Sequence, residues 1–381
     1  MPTTPTGLAR IAGDLAERIN LALSDTFRVG VCGYGASGSR HIPYPMYTVQ
    51  KAVDWTLPEL PSVWYDFAGE EPGIIFAVWN ASWLDWLVRP DWALRDSGLK
   101  DFLKQAQIKK WIYAPIDAEG PAGRLPDSQR KILESFDRVL AYTRFGARVI
   151  EQTTGLPCDN LPHGIDTAVF CPASRAEARE RFLPHILSVR GRLDQETFLI
   201  GAVATNTTRK DWGLCFETCG ELLRRGENIG LWAHKDQVQK AGAWDLRMLA
   251  EEFGMTERTI FTNGHVLNAN LAWGYRACDV TMGIGSGEGF GYPIFESVAC
   301  GVPCIHGDYA GAAEFLPDEY KVQPVAFRLD GYYGMRRPIF NPEDWANAIM
   351  FNRGKQAKLD PRLSWTECWG GWEKWLLEGV K

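Results

Sequence analysis

The stretch Gly287-Glu288-Gly289-Phe290-Gly291-Tyr292-Pro293-Ile294-Phe295-Glu296-Ser297-Val298-Ala299-Cys300-Gly301 decides how this chain is read. It follows the apolar run at 279–283 and reads as a glycine-rich turn entering a helix through Pro293 to Cys300. Proline is tolerated at a helix start, where its missing N–H would be unpaired in any case. Glycines around Phe290 let a ligand approach main-chain N–H groups at the helix N-terminus, where the dipole favours anions and polar oxygens. A carboxylate accepts two vicinal hydroxyls, which a hexose or a ribose offers, and Glu288 stands in the turn to do so. Glu296 lies about two helical turns further on. Spacing alone leaves equally open a plain connection with two solvent-facing glutamates.

Outward from this stretch the chain alternates strand-like and helix-like segments. Ile11, Leu15 and Ile19 predict an amphipathic helix over 8–23. An apolar run at 27–32 ends in Gly33-Tyr34-Gly35-Ala36-Ser37-Gly38, the strand and glycine-rich turn with which doubly wound α/β domains begin. Further apolar runs at 62–67, 73–79, 110–114 and 137–143 are separated by helix-like stretches such as 127–135 and 144–154. A second series follows the proline-rich segment 161–172, with strands expected at 197–204, 229–233, 259–262, 279–283 and 302–306. Helices at 212–225 and 244–253 fit between them. The tail 365–380 is helical in pattern and rich in Trp. Such alternation predicts two α/β domains with parallel sheets, joined near Phe170, with a ligand at the carboxyl ends of the strands in the cleft between them.

Bulk properties agree. The 381 residues suit two domains, and 45% hydrophobic with 23% charged residues is the balance of a soluble globular protein. A net charge of −6 is not that of a general polyanion binder, although it leaves a local basic face, and with it a nucleic-acid partner, open. The nine cysteines contain no Cys-x-x-Cys pair, so incidental thiols in a reducing compartment are expected. No early apolar run has signal-peptide length, and none approaches the roughly 20 residues of a membrane span. The expected location is cytoplasmic.

Other segments carry chemistry. Asn206-Thr207-Thr208-Arg209-Lys210 follows the strand at 199–204. Two adjacent cations at a helix start bind a diphosphate, Arg209 with a fork and Lys210 as a point charge. An Arg-Lys pair by itself is usually solvated surface. Asp117, in Tyr113-Ala114-Pro115-Ile116-Asp117, stands at the carboxyl end of a strand; a loop-capping role is as good a reading on its own. Trp79, Trp83, Trp86 and Trp92, and Trp365, Trp369, Trp372 and Trp375, read as core or domain-interface residues. Lys100, Lys104, Lys109 and Lys110 form a basic patch, ordinarily a solvated face and less often a track for a polymer's phosphates.

Glu288 and Glu296, with seven residues between them, resemble the E-x7-E motif of the group 1 retaining glycosyltransferases. The likeness includes Glu288-Gly289-Phe290-Gly291, Pro293, Glu296-Ser297-Val298-Ala299-Cys300-Gly301-Val302-Pro303, and the turn at 307–314. Tyr292 stands where that family more often has Leu, and Ser297 where it has Ala. The resemblance implies a GT-B fold: two Rossmann-like domains (1–168 on the acceptor side, 173–360 on the donor side) facing a central cleft, with a tail at 361–381 crossing back. It assigns the donor sugar to Glu288, the nucleotide ribose to Glu296, and the diphosphate to Arg209 and Lys210. Asp117 faces the reacting sugar, and Gly35, Ser37, Asn206, Gly289, Phe290 and Gly291 complete the donor contacts. The implied activity is that of a retaining hexosyltransferase using a nucleotide sugar such as a UDP- or GDP-sugar, with no metal or other cofactor; the chain contains no Asp-x-Asp. The acceptor stays open among a glycan, a lipid head group, a protein, a small metabolite and a hydroxymethylated base in viral DNA, as does oligomeric state. A sugar-nucleotide epimerase of the same fold and a non-catalytic nucleotide-sugar or glycan-binding module are the alternatives.

Overall fold

The computed structural model describes residues 6–34, 42–49, 56–94, 97–182, 193, 196–235, 243–264, 266–330 and 334–381. The chain divides into two compact units. The first comprises Met1–Ile116, Pro121–Leu161 and Trp369–Lys381; the second comprises Asp117–Gly120 and Pro162–Cys368.

In the first unit, β1 (Val31–Gly33) pairs in parallel with β2 (Met46–Thr48). A separate parallel sheet runs in the order β3 (Gly73–Val78), β4 (Ile108–Ala114), β5 (Arg138–Ala141) and β6 (Asp159–Asn160). Helix Gly7–Ala22 forms where expected and turns Ile11, Leu15 and Ile19 inward. Helix Arg144–Thr154 starts at Thr143, whose hydroxyl accepts from Gly146 N–H, and stops at Gly155 in the left-handed region. One expectation is corrected: the apolar run at 62–67 lies within a helix, Leu60–Ala68, not a strand. Pro61 sits at its start, and Leu60 and Trp64, four apart, supply one buried face, whereas a six-residue apolar run has no period of its own. The end of the tail, Trp369–Lys381, belongs to this unit. In helix Trp365–Glu378, Trp372 meets the Tyr113 ring edge-on at 4.7 Å, and the Arg138 guanidinium lies 4.0 Å over Trp375 while donating to the Trp375 carbonyl at 2.8 Å.

The second unit holds a six-stranded parallel sheet in the order β12-β11-β10-β7-β8-β9. Its strands are β7 (Phe198–Val203), β8 (Ile229–Lys235), β9 (Thr259–Asn263), β10 (Val280–Gly283), β11 (Cys304–Gly307) and β12 (Lys321–Val322). Near-continuous apolar runs such as Phe198-Leu199-Ile200 are what strands buried on both faces require. From β7 the chain steps one way through β8 and β9, then returns to the other side of β7 for β10, β11 and β12. Direction therefore reverses between β7 and β10. In open α/β sheets ligands bind at the carboxyl ends of the strands where the order reverses in this way. An antiparallel hairpin, β13 (Ala326–Asp330) with β14 (Met335–Ile339), completes the unit and has no counterpart among the expected elements. Among the described residues no helix is long and apolar enough to cross a membrane.

Candidate functional site

The loops that leave the carboxyl ends of β7 and β10 are where the two sequence constellations meet. The loop after β7 brings Arg209 and Lys210 to the start of helix Trp212–Arg224, which Asp211 caps by accepting from Leu214 N–H. The loop after β10 runs alongside it. Asp211 N–H donates to the Ile284 carbonyl at 2.7 Å, and the Ser286 N–H and hydroxyl both donate to the Arg209 carbonyl at 2.9 Å. Stitched together in this way, the two loops hold their charged side chains at one point.

That point is Glu288. Lys210 Nζ pairs with Glu288 Oε1, and Arg209 Nη1 lies 3.4 Å from Oε2 while donating to the Gly287 carbonyl at 2.6 Å. Burial of Glu288 would raise its carboxyl, but Lys210 and Arg209 outweigh burial and hold it at about 2. Burial also draws the Lys210 ammonium below its ordinary value, against the pull of Glu288. The glycines have local reasons: a Cβ at Gly285 would occupy the position of the Glu288 carboxylate, and one at Gly287 (φ +128) would run into the Asp117 carbonyl oxygen.

Asp117–Gly120 follows β4 in sequence yet belongs to the second unit, and so brings Asp117 to this cluster. Arg209 Nε stands 3.3 Å from Asp117 Oδ2. Arg337, from β14, stands 3.6 Å from Oδ1. Sequence reading had not singled out Arg337: it lies in no glycine-rich turn, and only the pairing of β13 with β14 carries it to the site.

The remaining candidates are dispersed. Glu296 is buried in helix Tyr292–Ala299 and accepts from the Tyr275 hydroxyl at 2.9 Å. Phe290 is buried with its ring 3.8 Å from that of His163, and so serves packing. Gly289 is buried beside it, and Gly291 takes a left-handed φ of 88 as the residue before the helix. Asn206 uses both ends of its amide on the Trp244 main chain, donating at 2.8 Å and accepting at 3.0 Å. Gly35 and Ser37 lie outside the described residues. In the basic patch, Lys104 is paired with Asp91 at 2.5 Å. His306, at the end of β11, was not foreseen: it is buried, its Nδ1 lies 2.5 Å from the Gly283 carbonyl, and burial lowers its pKa.

No protein-family profile matches the chain. Over 299 residues it is 26% identical to the D-inositol 3-phosphate glycosyltransferase of Stackebrandtia nassauensis, covering 74% of this chain and 61% of that protein. Sucrose-phosphate synthase of Thermosynechococcus elongatus superposes on it with a TM-score of 0.71 at 16% identity, covering 100% of this chain and 97% of that one. Anabaena HepE, solved with UDP and glucose, superposes with a TM-score of 0.71 at 14% identity, covering 99% and 97%. In fold the chain is similar to these GT-B glycosyltransferases, and in sequence it is similar to a D-inositol 3-phosphate glycosyltransferase of which it spans about three fifths.

Proposed function

We propose that this chain is a hexosyltransferase that takes its sugar from a nucleotide-diphosphate donor and transfers it with retention of anomeric configuration, without a metal ion. The convergence of Arg209 and Lys210 on Glu288 at the switch point between β7 and β10 carries the reading. Without donor, Glu288 is the counter-ion of both cations. A diphosphate brings more negative charge than one carboxylate and draws Arg209 and Lys210 onto its oxygens, each charge-assisted bond being worth about 1.5–3 kcal/mol. Glu288, held ionised, is then an acceptor for the hydroxyls of the donor sugar. The same cations stabilise the charge that develops on the departing diphosphate, and a departing phosphate oxygen takes the proton of the acceptor hydroxyl. Asp117 faces the reacting sugar in this reading. HepE, of the same fold, was solved with UDP and glucose, which makes a UDP-sugar the first donor to try.

A melting-temperature screen with UDP, GDP, ADP and their sugars tests it. A ligand at 100 times its Kd stabilises the folded state by about 2.7 kcal/mol, so one of these should raise the melting point by several degrees. Arg209→Ala should abolish that rise and slow sugar transfer tenfold or more, about 1.4 kcal/mol. NMR of the product anomer reads retention directly. If no nucleotide raises the melting point, or Arg209→Ala leaves both readouts unchanged, the assignment fails.

A further inference from the structure

Asp117 is ion-paired with two guanidiniums, one near each carboxylate oxygen: Arg209 Nε lies 3.3 Å from Oδ2 and Arg337 Nη1 3.6 Å from Oδ1. The two cations differ in how far they are free to leave. Arg209 has a third of its side chain exposed and already divides its attention among Asp117, Glu288 and the Gly287 carbonyl. The Arg337 side chain is only 9% exposed. It also lies 3.7 Å from Asp330 Oδ2 across the hairpin and donates to the Ser286 carbonyl at 3.4 Å. Its strand is tied to the segment that carries Asp117: Arg336 N–H donates to the Glu119 carbonyl at 2.8 Å, and the Tyr309 hydroxyl accepts from Glu119 N–H at 3.1 Å while donating to the Arg336 carbonyl at 2.9 Å.

Within this cluster Asp117, Glu288 and Asp330 face Arg209, Lys210 and Arg337, three carboxylates against three cations. An arriving diphosphate upsets that balance. Arg209 and Lys210 turn toward it, and Asp117 keeps only the Arg337 contact of its two ion pairs beside a new polyanion, where like charges repel. We propose that Arg337 is the positioning residue that keeps Asp117 paired and in place when Arg209 is given up to the donor diphosphate. The inference rests on the function proposed above.

A double-mutant cycle read by calorimetric binding of UDP, GDP and ADP tests it. In Arg337→Met, Arg209 is the last ion-pair partner of Asp117 among the described residues, and the diphosphate must pull it away; nucleotide affinity should fall about tenfold, or about 1.4 kcal/mol. In Asp117→Asn the carboxylate that Arg209 would leave behind is gone, so adding Arg337→Met should change affinity less than twofold. A residue needed only for folding would not be rescued by Asp117→Asn. Arg337→Lys, which keeps the charge but cannot span Asp117 and Ser286 together, should weaken binding about threefold, again only when Asp117 is present; it serves if Arg337→Met does not fold. A loss that persists in the Asp117→Asn background makes Arg337 a direct phosphate ligand and overturns the proposal, as does unchanged affinity in Arg337→Met. Failure of the unsubstituted chain to bind any of the three nucleotides defeats the donor site itself.

Discussion

Replacing Lys210 by Met tests the electrostatics of the site most directly. Moving a carboxyl from 4.5 to about 2 corresponds to about 3 kcal/mol of preference for the charged form of Glu288 in the fold. Because the folded value is depressed, that stability is fully present above pH 4.5 and is lost as pH falls toward 2. Lys210→Met removes the nearest cation and leaves Arg209 at 3.4 Å, so burial, which favours the neutral acid, gains the upper hand. Breaking a buried pair from one side typically costs about 3–5 kcal/mol. At pH 7 the second unit should therefore lose about 3 kcal/mol and melt about 6–12 °C lower, at roughly 2–4 °C per kcal/mol for a unit of its size. Below pH 4.5 the difference between the two proteins should shrink. Lys210→Met with Glu288→Gln should recover most of the loss, because no buried charge then lacks a partner. Urea unfolding followed by tryptophan fluorescence at steps from pH 7 to pH 3 reads all of this. Identical stability–pH profiles for Lys210→Met and the unsubstituted chain would refute the reasoning, since the pair would then be worth no more than an exposed ion pair.

Gly287→Ala should cost about 1–3 kcal/mol in the same assay, because φ +128 suits glycine and the new Cβ meets the Asp117 carbonyl; nucleotide affinity should fall with it. Trp372→Ala should destabilise the first unit by about 3–5 kcal/mol, seen in calorimetric melting, since a fully buried indole against Tyr113 leaves a cavity. His306 has its folded pKa below the ordinary 6.5, so stability should decline as pH falls through that value, where the unfolded chain takes up the proton first. In His306→Gln the decline between pH 7.5 and 5.5 should be shallower by urea unfolding.

Strand and helix order in the second unit was legible because parallel strands buried on both faces read as continuous apolar runs, as at 197–204 and 279–283. Helix ends were legible where caps were strong, as at Arg144–Thr154 between Thr143 and Gly155. The run at 62–67 misled because burial, which decides whether such a segment pairs or coils, is not local information. The hairpin at 326–339 escaped notice because its β13 strand is exposed and carries no continuous apolar run.

By itself the sequence determined the class of architecture, the glycine-rich turn and the identity of the charged groups, all properties of short segments. Which of those groups face one another was decided only by tertiary structure. Arg209 and Glu288 are 79 positions apart, and they meet because β7 and β10 are neighbours in the sheet. Arg337 reaches Asp117 because a hairpin folds back over the segment that follows β4. Coulomb energy depends on separation in space and on burial, and neither is written in the order of residues.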